Sequence, residues 1–270
     1  MKYLVKKTFN FSILGLLFVS ALFIIGCSDS TSPDSGQGEL KITMVDAPAG
    51  YESINIVVTR VEVHKADVDS SSGWVIINNN IATYDLLTLR NGASAILGSN
   101  FFDAGNYTQI RLFIGEGSNV VVDGVTYPLE IPSGSQSGLK LNHEFQIQSD
   151  VIYELLLDFD AQHSIVLTGN GQYKLKPVIR VIPMILSGTI SGNISPIITF
   201  ASVSAISGTD TVSTFAEIFD GSFKLMGLMH GIYNVKVSSG IAIYNDTTIV
   251  NVAVVAKQNT DLGTINLSLK

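Results

Sequence analysis

Short segments of alternating apolar and polar residues, separated by turn residues, constrain the fold of this chain more than any other feature. Leu40, Ile42 and Met44 share one face of the first segment. A period of two is typical of a strand with one buried face. In the next segment two alternating sets of residues point to opposite faces. The set expected on the buried face is Val57, Thr59, Val61 and Val63. The set expected to face outward is Val58, Arg60, Glu62 and His64.

Similar segments follow along the chain, with Ser-Gly, Gly-Asn, Asn-Gly and Asp-Gly pairs between them. They predict further strands at 74–77, 107–114, 119–122, 125–131, 139–148, 151–159, 164–167, 173–182, 241–243, 247–255 and 262–269. Residues 84–97 are the exception and favour a short helix or a looping crossover. Many short strands with regular turns predict an all-β protein built as two β-sandwich domains in tandem.

The composition is that of a folded chain, with 46% hydrophobic and 14% charged residues among 270. The formal charge is −7, and loss of the leader with its three lysines would take it to −10. Such a body repels phosphate backbones, and no basic cluster interrupts it. We therefore predict no nucleic-acid partner.

The N-terminal residues read as a leader that ends at the only cysteine, Cys27. Lys2, Lys6 and Lys7 form a positive region, and the apolar run of residues 11–25 is shorter than the roughly 20 residues of a spanning helix. A retained signal anchor is the alternative. The run ends in Ile24-Ile25-Gly26-Cys27, which resembles the bacterial lipobox.

The lipobox resemblance implies a signal peptide at 1–26, acylation of Cys27 with chains such as palmitate, and a lipid bilayer as partner. Two or three acyl chains hold a protein stably on a membrane. Ser28 follows the cysteine, and by resemblance to lipoprotein sorting this favours the outer membrane of the cell envelope, with the periplasmic or surface face left open. Residues 27–38 read as a flexible tether.

The first folded region is predicted at 39–184. Its segments GELKITMVDAPAGYESINIVVTRVEVH, YDLLTL, AGNYTQIRLFI, LLLDFDAQHSIV and GQYKLKPVIRV resemble the bacterial domain-of-unknown-function family 4382, in order, through roughly residues 38–182. This family is typical of envelope lipoproteins and secreted proteins. The resemblance implies architecture and location, and no catalytic residues.

A second folded region is predicted at 185–270. Its segment GSFKLMGLMHGIYNVKV, residues 221–237, resembles small prealbumin-like modules, including carboxypeptidase-regulatory-like domains. Phe223, Leu225 and Leu228 are expected in the core, Gly231 at a positive φ in a turn, and Tyr233 with a buried ring and a bonded hydroxyl. Such modules are commonly spacers.

Asp158 and Asp160 are the nearest approach to a site. Residues i and i+2 of a strand share a face, so the two carboxylates could hold a hard cation such as Ca²⁺, joined by Asp46, Asp85 or Asp103. No calcium-loop spacing supports this, and such a pair is more often a solvated face or a turn cap. We predict no metal site, with Asp158 and Asp160 as weak candidates only.

No catalytic residue is predicted. Asp160, His163 and Ser164 lie close in sequence, but triads are recognised by geometry and no nucleophile elbow is present. His143 is expected on a core or rim face, His64 on an outward face and His230 in a turn, without zinc spacing. An aromatic platform for a glycan is a further possibility, formed by Trp74, Tyr51, Phe101, Phe102 and Tyr107.

The sequence thus predicts a lipid-anchored cell-envelope protein without cofactors, acting as a non-enzymatic binding or scaffolding module of unknown ligand. Glycans and envelope proteins are the partners considered. One alternative is a hydrolase of envelope or extracellular polymers that uses Asp158 and Asp160 as acid and base. Others are a carbohydrate-binding surface protein and an assembly subunit that pairs through an edge strand.

Overall fold

The computed structural model describes residues 36–47, 49–69, 71–131 and 137–270, and the chain in them is almost entirely β. The leader and Cys27 lie outside the described residues. The predicted tether ends earlier than residue 38, since Gln37 and Gly38 already belong to the first strand.

Thirteen strands in the described residues build the first sandwich: β1 (Gln37–Asp46), β2 (Ser53–Lys65), β3 (Trp74–Asn78), β4 (Ala82–Asp85), β5 (Ala95–Asp103), β6 (Gly105–Ile114), β7 (Asn119–Val122), β8 (Val125–Glu130), β9 (Leu139–Ile147), β10 (Ile152–Phe159), β11 (Ile165–Leu167), β12 (Tyr173–Leu175) and β13 (Ile179–Pro183). One sheet has the order β13-β10-β1-β5. The other runs β11-β12-β8-β7-β2-β6-β9, with β3 and β4 also paired to β2. A short helix, α1 (Ala161–Ser164), follows β10, and a 3₁₀ helix spans Leu86–Thr88.

Strand β1 is buried as its alternation predicts, since Leu40, Ile42 and Met44 are 0% exposed. The prediction for β2 was partly wrong. Val61 and Val63 lie in the core, but so does Val58, which is 1% exposed and was expected to face outward. The pairing of β2 with β6 shifts between Val58 and Arg60, and a bulge of this kind reverses the alternation beyond it.

Seven strands form the second sandwich: β14 (Ser187–Ser195), β15 (Ser202–Ser207), β16 (Asp210–Phe215), β17 (Ser222–Met229), β18 (Gly231–Ser238), β19 (Thr247–Val254) and β20 (Asn259–Asn266). One sheet has the order β17-β14-β20 and the other β16-β15-β18-β19. Short 3₁₀ helices span Met184–Leu186 and Ile197–Thr199.

The second core contains the apolar residues predicted from the motif at 221–237. Phe223, Leu225 and Leu228 are buried there. The ring of Tyr233 is buried, and its hydroxyl donates to the Met229 carbonyl at 2.9 Å. The expectation for Gly231 was wrong, because Gly227 instead of Gly231 has a positive φ, of 70°. Gly231 begins β18, in extended backbone that needs no left-handed residue.

Three segments differ from their predicted structure. The single strand predicted at 173–182 is two strands, β12 and β13, which belong to different sheets. Residues 84–97 contain the 3₁₀ helix, in agreement with the short helix considered for this segment. Their last residues begin β5, an edge strand that the sequence pattern did not predict. Residues 241–243 form a turn and not a strand. The described backbone contains no helix that is long and apolar enough to cross a membrane.

The outer face of sheet β13-β10-β1-β5 packs on the second sandwich. Val45, Leu156 and Ile182 form a separate small core with Met184 and Met226. Residues Asp34–Lys270 accordingly group as one compact unit. The division into domains at residue 184 stays a prediction.

Candidate functional site

A cavity of about 380 Å³ lies where the first sandwich meets the second, and both predicted carboxylates border it. Asp158 and Asp160 line its wall together with Asp46. Strand β1 runs parallel to β10, with Val45 opposite Asp158 and Asp46 opposite Phe159. Because the two parallel strands end at the same edge of the sheet, Asp46 and Asp158 both lie near that edge, and Asp160 follows at the start of α1. Cavities of roughly 300–1,000 Å³ at domain junctions are common ligand sites.

Asp158 is held by an ion pair and does not lie on the solvated face expected for it. Its side chain is 12% exposed, and Arg180 lies directly opposite on β13. Arg180 donates from Nε to Oδ2 of Asp158 at 3.1 Å and from Nη2 to the same oxygen. Burial raises the pKa of Asp158, and the Arg180 charge opposes that rise.

Asp46 is the most deeply buried acid at the cavity, with 6% exposure. Its Oδ1 accepts a hydrogen bond from the Ala161 amide at 3.0 Å, and its Oδ2 has no partner in the described structure. Burial, followed by the negative charges of Asp158 and Asp160, raises the pKa of Asp46 to about 8. The carboxyl therefore carries a proton at pH 7, with a hydrogen-bond donor as well as acceptors.

Asp160 caps the short helix α1. This agrees with the turn cap that the sequence analysis gave as the alternative to a metal-ligand role. Its Oδ1 accepts from the His163 amide at 3.1 Å, and its Oδ2 lies 2.7 Å from Nδ1 of His163. Ser164 does not join them. Its hydroxyl donates to the Asp160 carbonyl at 2.5 Å and accepts from the Val178 amide at 2.9 Å, so both bonds are to the backbone and neither is to His163.

The second sandwich supplies the opposite wall from β16, the turn before it, and β17. Thr214 is 2% exposed, and its Oγ1 is a buried hydroxyl without a partner in the described structure. Val212 and Leu225, which pack in or against the second core, line the same cavity. This wall of the cavity is therefore continuous with side chains of the second core. Sequence patterns gave no sign of Thr214, because nothing local distinguishes it from other strand threonines.

Asn91 joins the two walls. Its Nδ2 donates to Oε1 of Glu217 at 2.8 Å and to the Ser222 carbonyl at 3.3 Å, and its Oδ1 accepts from the Lys224 amide at 2.5 Å. The backbone of Asn91 has a φ of 57°, a left-handed conformation that asparagine tolerates better than most residues. The side chain thereby fixes the second sandwich against the 90–93 loop of the first.

The other acids considered for a metal site lie elsewhere. Asp85 caps the 3₁₀ helix at Leu86–Thr88, and Asp103 forms an exposed ion pair with Lys65 at 3.4 Å. No three His, Cys, Asp or Glu side chains in the described part of the chain are grouped so that they could hold a metal ion.

The aromatic platform is not formed. Phe102 and Tyr107 are buried in the first core, and Phe101 is 63% exposed on edge strand β5. Tyr51 packs against the first core. Arg111 stacks over the Trp74 ring at 3.6 Å, so one face of the only tryptophan is already occupied.

The histidines have structural surroundings. His64 lies on the outward face of β2 as expected, but it is only 6% exposed, with Nδ1 at 3.3 Å from Oγ1 of Thr108 and Nε2 at 3.3 Å from the Asp69 carbonyl. The half-buried His143 stacks near Phe145, and burial lowers its pKa. His230 lies in the turn between β17 and β18, as predicted.

The fold and the cavity define an all-β protein of sandwich architecture. The family described as "Domain of unknown function (DUF4382)" matches residues 37–177, more than half of the chain. The chain therefore belongs to this family, as its segments predicted. No curated protein matches it.

Several solved structures are similar to parts of the chain. A chain of the type II cohesin–X-dockerin complex from Acetivibrio cellulolyticus is 26% identical over 30% of this chain and 58% of its own length, with a TM-score of 0.25. The match thus spans less than two thirds of that protein. The shaft pilin SpaA from Lactobacillus rhamnosus GG is 8% identical over 87% of this chain and 99% of its own, with a TM-score of 0.26. Scores this low establish no common function.

Proposed function

We propose that this chain is a lipid-anchored protein of the bacterial outer membrane that binds a small ligand between its two sandwiches and has no catalytic role. The observation that supports the binding function is the cavity of about 380 Å³, whose wall includes Asp46, Asp158 and Asp160 from the first sandwich and Thr214 and Lys224 from the second. Cavities of this size at such junctions are common ligand sites.

The arrangement of the acids supports binding over hydrolysis. Asp158 is engaged by Arg180, and Asp160 is engaged by the α1 backbone and His163. Neither is free to act as the unpaired acid or base that glycoside hydrolysis needs.

We further propose that residues 185–270 form a prealbumin-like module that supports the cavity. Its seven strands lie in sheets of three and four, and the apolar residues of the 221–237 motif fill its core. In this proposal the module supplies one wall of the site and does not serve as a spacer alone.

The anchor rests on the sequence of the leader. We expect the mature protein to begin at Cys27, with acyl chains on that residue, and to fractionate with outer membranes. Intact-mass spectrometry of the full-length gene product, extracted from membranes with detergent, tests this directly. Cys27→Ser should remove the acyl mass, and the matched variant Ser28→Ala should retain it. A membrane form that keeps residues 1–26 or carries no acyl mass would refute the anchor.

A further inference from the structure

We propose that Asn91 and Gly92 form a site of spontaneous deamidation, which the contact between the two sandwiches holds back and whose product uncouples them. The proposal concerns the covalent chemistry of the chain itself. It depends neither on a ligand in the cavity nor on an anchor at Cys27, so its failure would leave both of those proposals as they stand.

The turn at residues 90–93 favours this residue pair. The Ala93 amide donates to the Arg90 carbonyl at 3.0 Å, which closes a four-residue turn. Its two central residues both have a positive φ, of 57° at Asn91 and 90° at Gly92. Asn-Gly is the favoured sequence for such a turn. It is also the dipeptide that deamidates most readily, because glycine has no Cβ to hinder the reacting nitrogen. The turn therefore retains a chemically labile pair.

The reaction needs only the chain and water. The backbone nitrogen of Gly92 gives up its proton and attacks Cγ of Asn91, so that a bond forms between these two atoms. The bond from Cγ to Nδ2 breaks, and Nδ2 takes up the proton and leaves as ammonia. Water then opens the resulting five-membered succinimide at either of its carbonyls, which yields aspartate or isoaspartate at residue 91.

Three hydrogen bonds to the second sandwich hold the Asn91 amide in place. Nδ2, the group that must leave, donates to Oε1 of Glu217 at 2.8 Å and to the Ser222 carbonyl at 3.3 Å. Oδ1 accepts from the Lys224 amide at 2.5 Å. The attack makes Cγ tetrahedral and turns both atoms away from these partners. Deamidation therefore proceeds from molecules in which the contact has opened locally.

The product cannot restore the contact. Aspartate at residue 91 has no N–H to donate, and it would bring a second carboxylate to Glu217 and a further acceptor to the Ser222 carbonyl. Like charges at this separation repel each other. Isoaspartate would in addition insert its Cβ into the main chain of the turn. Each opening that ends in deamidation is therefore irreversible, and the two hydrogen bonds made by Nδ2 are lost permanently.

A second Asn-Gly pair in the sequence serves as an internal control. Asn170 and Gly171 lie in the exposed turn between β11 and β12. The side chain of Asn170 forms hydrogen bonds with Thr168 and Gln172, which belong to the same turn. These contacts do not involve the second sandwich, so the rate of deamidation at Asn170 should not respond to changes at Asn91.

The test follows both sites in residues 34–270, which contain both cores and group as one compact unit. The protein is incubated at pH 8 and 37 °C, and peptide mapping by mass spectrometry measures the deamidated fraction at each site over time. Glu217→Ala removes a charged acceptor, so we expect conversion at Asn91 to become roughly tenfold faster and conversion at Asn170 to stay unchanged. The exposed Glu116→Ala is the matched control and should change neither rate. In concentrated urea the two sites should convert at similar rates, because no fold restrains either.

The variant Asn91→Asp tests the effect of the product. We expect it to melt at least about 4 °C below the unmodified chain and to exchange the amide hydrogens of β16 and β17 faster, whereas Asn170→Asp should do neither. Three results would overturn the proposal. They are conversion at Asn91 that is unchanged or slower in Glu217→Ala, no conversion at Asn91 in urea, and an Asn91→Asp variant that melts and exchanges as the unmodified chain does.

Discussion

Arg180 and Asp158 lie directly opposite each other on adjacent antiparallel strands, and the guanidinium donates two hydrogen bonds to a single carboxylate oxygen. The pair forms part of the cavity wall, where Asp158 is almost enclosed and Arg180 is 38% exposed. Strand register alone sets this contact, because it places the two residues side by side with their side chains on the same face.

Removing the cation should destabilise the protein. Arg180→Met leaves a buried carboxylate unpaired, and we expect the free energy of unfolding to fall by roughly 2–3 kcal/mol. The loss stays below that of a fully buried pair because Arg180 is partly solvated. Urea unfolding of residues 34–270 measures it. The double variant Asp158→Leu with Arg180→Met should recover most of the loss, and an equal loss in both variants would contradict the role of the ion pair.

Asp46 should make stability depend on pH. Its pKa is 3.8 when unfolded and about 8 in the fold, so the folded state holds a proton that the unfolded state releases between these values. The stabilisation is therefore complete below about pH 4 and is lost as pH rises, by at most about 1.4 kcal/mol per pH unit, until about pH 8. Urea unfolding from pH 4.5 to 8.5 should show this slope.

Asp46→Asn is expected to flatten that dependence, because the amide cannot ionise and its oxygen can still accept from Ala161. The exposed Asp103→Asn serves as the control and should leave the slope unchanged over the same range. A slope that persists unaltered in Asp46→Asn would show that other groups cause it.

Asn91 should couple the two sandwiches. Asn91→Gly keeps the left-handed backbone but loses the hydrogen bonds to Glu217, Ser222 and Lys224, and we expect a loss of about 2 kcal/mol. Asn91→Ala should lose about 1 kcal/mol more, because its Cβ disfavours a positive φ. Thermal unfolding measures both, and hydrogen exchange in β16 and β17 should rise. A glycine variant as stable as the unmodified chain would refute this.

Gly227 should tolerate no side chain, for two separable reasons. Its φ is 70°, and an added Cβ would lie 2.8 Å from Cδ1 of Ile182 and 3.1 Å from Cδ2 of Leu156. Gly124 has a φ of 72° and nothing within 4 Å of the added atom. Gly124→Ala should thus lose about 1 kcal/mol from backbone strain alone.

For Gly227→Ala we expect that same strain and a further loss of roughly 1–3 kcal/mol from overpacking between the sandwiches. Chemical denaturation of the two variants side by side gives the comparison. Equal losses would show that the contact at Ile182 relaxes without cost.

The two predicted carboxylates show how much of the site could be predicted from sequence patterns. Their spacing identified Asp158 and Asp160 as a pair, and Asp46 was named as an acid that could join them. The role of Asp158 depended on Arg180, 22 residues further along the chain and brought opposite it by strand pairing, whereas Asp160 caps the helix that directly follows it. Thr214 and Asn91 were missed, because a strand threonine and a turn asparagine carry no local signal of what packs against them.

The sequence by itself determined the β architecture, most of the strands, the core residues of the 221–237 motif and membership in the family, since alternation and turn residues act over a few positions. Tertiary structure alone decided the face that Val58 presents, the glycine that takes a positive φ, and the cavity. A bulge depends on the register of a neighbouring strand, and the cavity exists only because two separately patterned sandwiches pack through Val45, Ile182 and Met226. Contacts between segments so far apart in the chain leave no periodicity in either of them.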